Sequence, residues 1–257
     1  MLLFYFTFFY LCGCNLLKFM IKYLKINGDI MIQRFNRGSF NDFIHFLLMA
    51  LLSGAMIGIC ATSALTANTL SQNGRIVGAL LFSLGMFVIL AFEMKLFTGL
   101  IPKIPHTNPK SYWQLPVCLI GNFIGVYIVY LLVSQTFFAS KIIPAGSDLI
   151  GNKLEMDNWA LSSLSSGILC GILITLSVLS VDHSHKKGLS ANVGVMFPII
   201  VFVFCGFDHS IANMFYFYCL GEFSLKVVLY IALTILGNLI GGIILPLVLK
   251  LRDNDPV

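Results

Sequence analysis

Gly206-Phe207-Asp208-His209-Ser210-Ile211-Ala212-Asn213-Met214-Phe215 places two ionisable side chains and an amide inside an otherwise apolar segment. Apolar runs from Val195 to Cys205 and from Tyr216 to Leu220 flank it, so the whole is long enough to cross a bilayer. A carboxylate at bilayer depth costs about 2.5–3.5 kcal/mol on insertion scales, which makes such groups functional by default. Gly206 predicts an interruption of the helix, tolerated in a membrane only where it is buried in protein or lines a cavity. The chemistry this suits is a pore or transport site with His209 at its centre. Asp208 is read as a structural anchor, capping a half-helix or pairing with Lys95 or a backbone N–H.

The remaining candidate donors and ligands carry less. Cys12 and Cys14 form a C-x-C with no second pair, which does not make a metal site. His183 and His185 beside Lys186 and Lys187 read as a solvated loop rather than as metal ligands. No metal and no cofactor is expected. H-E-x-x-H is absent, and so is G-x-S-x-G, so no nucleophile–base pair of an intramembrane hydrolase can be assembled and the chain is not read as an enzyme.

Positioning His209 requires a membrane protein. Charged residues are 11% of the chain and apolar ones 58%, against about 25% charged in soluble domains. The net charge of +5 comes from loops that flank apolar runs and implies no nucleic-acid partner. Six spans are expected, at about 43–70, 76–101, 113–138, 159–180, 191–219 and 225–250. The stretch from Lys141 to Asp157 is read as a loop. Residues 1–42 form an N-terminal apolar segment and an amphipathic lead-in, 43–250 the pore domain, and 251–257 a short tail. Leu2 to Leu17 is either an extra membrane-associated segment or sequence upstream of a start at Met20 or Met31. With both termini cytoplasmic, eleven basic residues fall inside and four outside, which matches the positive-inside bias.

The two halves repeat one another. Ser53-Gly54 recurs as Ser166-Gly167, Phe92-Glu93 as Phe207-Asp208, and Gly121-Asn122 as Gly237-Asn238, at offsets of 113, 115 and 116 residues. Three spans per half imply an inverted repeat, in which paired helix breaks mark the site. The breaks fall at Lys95 to Gly99 and at Gly206 to Asn213. The expected fold is therefore an all-α membrane protein of six transmembrane helices in an inverted 3+3 repeat, with broken second and fifth helices. Gly99, Gly206, Asn122 and Asn238 are its break and packing residues.

Phe197-Pro198, the GFDHSIANMF stretch, the KLFTG turn and the closing GNLIGG resemble the formate/nitrite transporter family over about residues 35–250. The resemblance implies a homopentamer with one pore per protomer and an aquaporin-like outline, in the cytoplasmic membrane of a prokaryote. It implies small monovalent anions of weak acids as substrates (formate, nitrite or hydrosulfide), or their conjugate acids with protons. By motif His209 is similar to the central pore histidine, Thr98 to the threonine of the first break, and Asn213 to the amide facing it. Phe82 and Phe202 resemble one apolar constriction, Met86 and Leu96 the other. Lys95 departs from the family's small or acidic residue, and is either a field source for anions or a snorkelling side chain. Gly171 stands where the fourth helix usually carries Asn. The vestibule lysine before that helix has no aligned match, with Glu155 near its place and Lys153 two residues earlier.

The implied mechanism follows from desolvation. Interrupted helices aim backbone N–H groups and dipole ends at the cavity. His209 donates a hydrogen bond or a proton as the anion arrives, so that a neutral acid crosses the apolar ring. The competing reading is a passive pore for small neutral solutes of the aquaporin type, which would carry Asn-Pro-Ala in each half. Neither break supplies it.

Overall fold

The structure, a computed structural model, describes residues 40–182 and 189–253. The N-terminal apolar segment, most of the lead-in, the His183–Lys187 cluster and the end of the tail lie outside them. The chain divides into two compact units between His45 and Phe46, and of the first only residues 40–45 are described.

Nine α-helices are described: α1 (Phe40–Leu70), α2 (Gly74–Ala91), α3 (Phe97–Leu100), α4 (Gln114–Val133), α5 (Ala139–Glu155), α6 (Trp159–Asp182), α7 (Leu189–Cys205), α8 (Ser210–Leu220) and α9 (Leu225–Asp253). Two 3-10 turns, Ile101–His106 and Pro109–Ser111, link α3 to α4. Among the described residues, six stretches are long and apolar enough to cross a bilayer, with α7 and α8 counted as one. The protein is an all-α membrane protein. The expected spans hold to within a few residues, except that α2 stops at Ala91 and the third span starts at Pro109 and ends at Val133.

Both interruptions end the same way. At the close of α2 the Glu93 N–H reaches the Leu90 carbonyl at 3.2 Å and the Met94 N–H reaches Ile89 at 2.9 Å. At the close of α7 the Gly206 N–H reaches Val203 at 3.1 Å and the Phe207 N–H reaches Phe202 at 3.0 Å. Each is a Schellman stop, which needs one residue in the left-handed region. Gly206 takes it at φ 73°, where glycine meets no Cβ penalty; Glu93 takes it at φ 52° despite its side chain. Glu93 is exposed. Glu93→Gly is therefore expected to raise thermal stability by about 1 kcal/mol, the usual penalty for an L-residue in this conformation. An unchanged or lower midpoint in detergent would refute this.

The short helices that follow are then anchored by a matched pair of asparagines. Asn122 Oδ1 accepts from the Phe97 N–H at 2.8 Å, and its Nδ2 donates to the carbonyls of Ala50 and Lys95 at 2.7 and 2.9 Å. Asn238 Oδ1 accepts from the Ser210 N–H at 2.9 Å, and its Nδ2 donates to Gly167 and Asp208, both at 2.9 Å. Both asparagines are fully buried. A buried amide is tolerated when its hydrogen bonds are made, and these three are matched between the two. The neighbouring glycines allow the approach: a Cβ on Gly54 would overlap the Asn122 carbonyl, and one on Gly167 would sit 2.9 Å from the Thr234 carbonyl. Close backbone contact between membrane helices depends on such small residues.

Gly171 has a similar cause. A Cβ there would lie 2.6 Å from the Asn238 carbonyl and 2.9 Å from the Gly242 nitrogen. The asparagine of the family pattern does not fit at this position while α6 and α9 pack this closely.

One element differs from the sequence expectation. Lys141 to Asp157 is not a loop: most of it is helix α5. Its charged and polar residues hide the pattern, yet Ile142, Gly146 and Ile150 are buried at a spacing of four and define one apolar face. Ile150 packs with Phe217 of α8 and with Val227 and Tyr230 of α9. This packing fixes the position of α5 and so of Lys153 on it.

Candidate functional site

The two breaks meet at one hydrogen bond. Thr98, the second residue of α3, and His209, the residue that caps α8, lie 3.0 Å apart from Oγ1 to Nε2. They are 111 positions apart in the chain and both are almost fully buried. His209 has extended backbone angles and its Nδ1 accepts from the Ala212 N–H at 3.0 Å, so it is the N-cap of α8. That bond settles the tautomer. With Nδ1 an acceptor, the proton of the neutral ring is on Nε2 and is donated to Thr98 Oγ1. The Thr98 hydroxyl keeps its own proton, for which no acceptor exists among the described residues.

A cavity of about 490 Å³ is lined in part by His209. Phe82 and Phe202 line it edge to face, with centroids 5.7 Å apart, and Phe202 stacks on the imidazole at 5.8 Å. Asn213, Gly206 and Tyr216 also line it, and Asn68, Arg75, Asn152 and Lys153 bring further polar groups to its wall. The wall thus combines two cations, an aromatic pair and one buried N–H donor.

Asp208 stands behind this wall as an anchor. Its Oδ1 accepts from Lys153 Nζ at 2.7 Å and from Asn213 Nδ2 at 2.8 Å, and its Oδ2 from the Tyr230 hydroxyl at 3.0 Å. Its own N–H donates to Ser166 Oγ at 2.8 Å. Asp208 is 1% exposed and the charge of its carboxylate is met by three donors, the condition under which burial of an ion is tolerated. The cation here is Lys153, where the sequence suggested Lys95. Lys153 also donates to the Gly206 carbonyl at 3.0 Å, so it holds both ends of the break. It lies in the cavity wall, as the vestibule lysine of the family pattern would, although it is two residues from the aligned place.

Of the sequence-derived site residues, His209, Asn213, Gly206, Phe82 and Phe202 line the cavity, and Thr98 is bonded to His209. Leu96, Met86, Gly99 and Lys95 do not line it. Leu96 and Met86 are buried in the main apolar cluster, and Lys95 serves through its backbone, its N–H bonded to Met49 and its carbonyl to Asn122. The Asn213 amide nitrogen donates to Asp208 Oδ1. The expectation that broken helices leave N–H groups open to the cavity is also modified. Those of Phe97, Asp208, Ser210, Ala212 and Asn213 all have protein partners. Arg75, Lys153, Ser166 and Tyr230 were not among the sequence candidates. Among the described residues no group of three or more His, Cys, Asp or Glu is placed to hold a metal ion.

Comparison with known proteins identifies relatives of this chain. The formate channel FocA of Haemophilus influenzae is 25% identical over 187 residues, which is 65% of this chain and 64% of that one. The nitrite transporter NirC of Salmonella typhimurium is 23% identical over 193 residues, 70% of each chain. The chain thus spans just under two thirds of the formate channel's length. Among solved structures, an FNT family ion channel matches with a TM-score of 0.71 at 20% identity, over 84% of this chain and 92% of that one. A pentameric formate channel with formate bound matches with a TM-score of 0.68 at 20% identity, over 84% and 97%. These two show the same fold. The formate/nitrite transporter family matches residues 29–251, and a match over that much of the chain means that the protein belongs to it.

Proposed function

We propose that the protein is a channel or transporter for small monovalent anions of weak acids, in the formate, nitrite or hydrosulfide class. The observation that carries this reading is the buried bond between Thr98 and His209, which lines the cavity. One desolvated donor beside an aromatic pair suits a solute small enough to be held by a single hydrogen bond. The relatives named as formate channels and nitrite transporters support the same class. A polar solute entering so dry a site loses hydration worth several kcal/mol, and an anion much more. Passage is therefore easiest as the conjugate acid.

Proton coupling would then run through the cap of α8. An imidazolium has no acceptor nitrogen, so protonating His209 breaks its bond from the Ala212 N–H. That cost holds the resting ring neutral. An anion beside Nε2 favours the charged form and offsets the cost, which links proton uptake to substrate arrival. The inverted 3+3 repeat is supported by the two Schellman stops and by the six matched bonds of Asn122 and Asn238. A homopentamer is supported by the likeness to a pentameric formate channel. The broad apolar exposure of Ile120, Ile124, Leu131, Val228, Leu236 and Ile240 suits lipid or neighbouring protomers. We place the protein in the cytoplasmic membrane, with residues 43–250 as its pore domain.

The test is uptake of labelled formate, nitrite, hydrosulfide and glycerol by proteoliposomes, with assembly measured by mass photometry in mild detergent. Saturable uptake of at least one of the anions by a five-protomer species is the expected result. Uptake of glycerol alone would favour the neutral-solute pore, and an active, strictly monomeric species would refute the assembly.

A further inference from the structure

The cavity wall holds two permanent cations, and their charges are not equivalent. Lys153 is bonded at 2.7 Å to a buried carboxylate, so the pair presents little net charge to the cavity. Arg75 has no carboxylate oxygen within 4.0 Å among the described residues. Its position is costly for helix stability, because it lies in the first turn of α2, where the dipole favours an anion. No acidic residue in that turn offsets it. The side chain is nonetheless held in place. Its guanidinium lies 5.6 Å from the centre of the Phe204 ring, and Nη2 comes within 3.2 Å of where a Cβ on Gly206 would stand. A cation laid over an aromatic face is oriented by the ring's quadrupole. Here it is oriented over the left-handed turn from which His209 follows three residues later. Apart from Arg75 and Lys153, no Lys, Arg, Asp or Glu is among the residues that line the cavity.

We propose that Arg75 is the residue that gathers anions in this cavity and sets its preference for negative over neutral and positive solutes. Lys153 acts instead as the counter-ion of Asp208. The proposal rests on the anion reading above, and it concerns the approach to the site rather than the step at His209. A charge in a cleft with low-dielectric walls focuses its field and raises the local concentration of counter-charged solutes. The field falls off over about 8 Å at physiological ionic strength and about 30 Å at 0.01 M, so its effect must shrink with salt.

The cavity contains a natural reporter. Cys205 lines it and is exposed, between the Phe204 ring and Gly206 that Arg75 contacts, whereas Cys60, Cys118, Cys170 and Cys219 are buried. In the full assembled protein carrying Cys12→Ser and Cys14→Ser, the thiol is labelled with an anionic and with a cationic methanethiosulfonate. The ratio of the two rates cancels any change in thiol ionisation. Arg75→Gln should lower the anionic-to-cationic ratio about fivefold at 0.01 M salt and by less at high salt, and Arg75→Lys should restore it. In proteoliposomes the same Arg75→Gln change should raise the half-saturating formate concentration several-fold at low salt while the maximal rate is unchanged. An unaltered labelling ratio, or an altered ratio with an unaltered half-saturation, would overturn the proposal. A lowered ratio in a protein whose wild type moves none of the tested anions would uphold the role of Arg75 and count against the proposed substrate class.

Discussion

His209→Asn is expected to fold, assemble and lose most of its transport. Asparagine is among the best N-cap residues, and its Oδ1 can take the Ala212 N–H that Nδ1 accepts in the native protein. The start of α8 should therefore survive, which separates chemistry from folding. Asn also supplies an N–H donor, so a site that needed only a neutral hydrogen bond would keep its flux and its pH profile. It cannot take up a proton. If anion passage depends on an imidazolium, uptake should fall by about tenfold or more, and the remainder should lose its response between about pH 5 and 8, the interval in which histidine switches. The measurement is uptake of labelled formate across that range, on a variant shown to assemble like the wild type. Native flux with a native pH profile would rule out the protonation step and leave His209 as a cap.

Lys153→Met should produce the largest loss of stability. It removes the cation from a carboxylate whose side chain is 2% exposed, while leaving the carboxylate in place. Breaking a buried ion pair from one side costs about 3 kcal/mol or more, because the remaining charge is desolvated and unpaired. Removing the Nζ also frees the Gly206 carbonyl, so the α7–α8 break loses a second tie. Asp208→Asn should be milder, since the Lys153 side chain is 24% exposed and its ammonium can still be hydrated. The double variant Lys153→Met with Asp208→Asn should recover a large part of the loss. Thermal denaturation of the four proteins in one detergent forms a double-mutant cycle. Simple additivity of the two single changes would mean that the pair is not coupled, against the 2.7 Å contact.

The membrane class, the six spans and the family could be read from the chain because they depend on local composition and on short motifs. A run of apolar residues long enough to cross a bilayer has few other places to be. The breaks were visible for a similar reason: a polar residue or a glycine inside such a run stands out. Gly206 announced its turn, whereas Glu93 gave no local sign of a left-handed backbone, since few side chains adopt it. Helix α5 was hidden because its polar face made it look like a loop, and only packing of Ile150 against Phe217, Val227 and Tyr230 explains it.

What the tertiary structure alone decided is which groups share a partner. Asp208 could be recognised as an anchor, but not its cation: the choice of Lys153 over Lys95 depends on where α5 lies. The tautomer of His209 depends on one bond from Ala212 and one to Thr98, the latter from a helix 111 positions away. Arg75 and Lys153 are alike in sequence as basic residues between apolar spans. Only the folded arrangement neutralises one and leaves the other facing the cavity, because an ion's effect depends on the charges within a few ångströms of it and not on its neighbours along the chain.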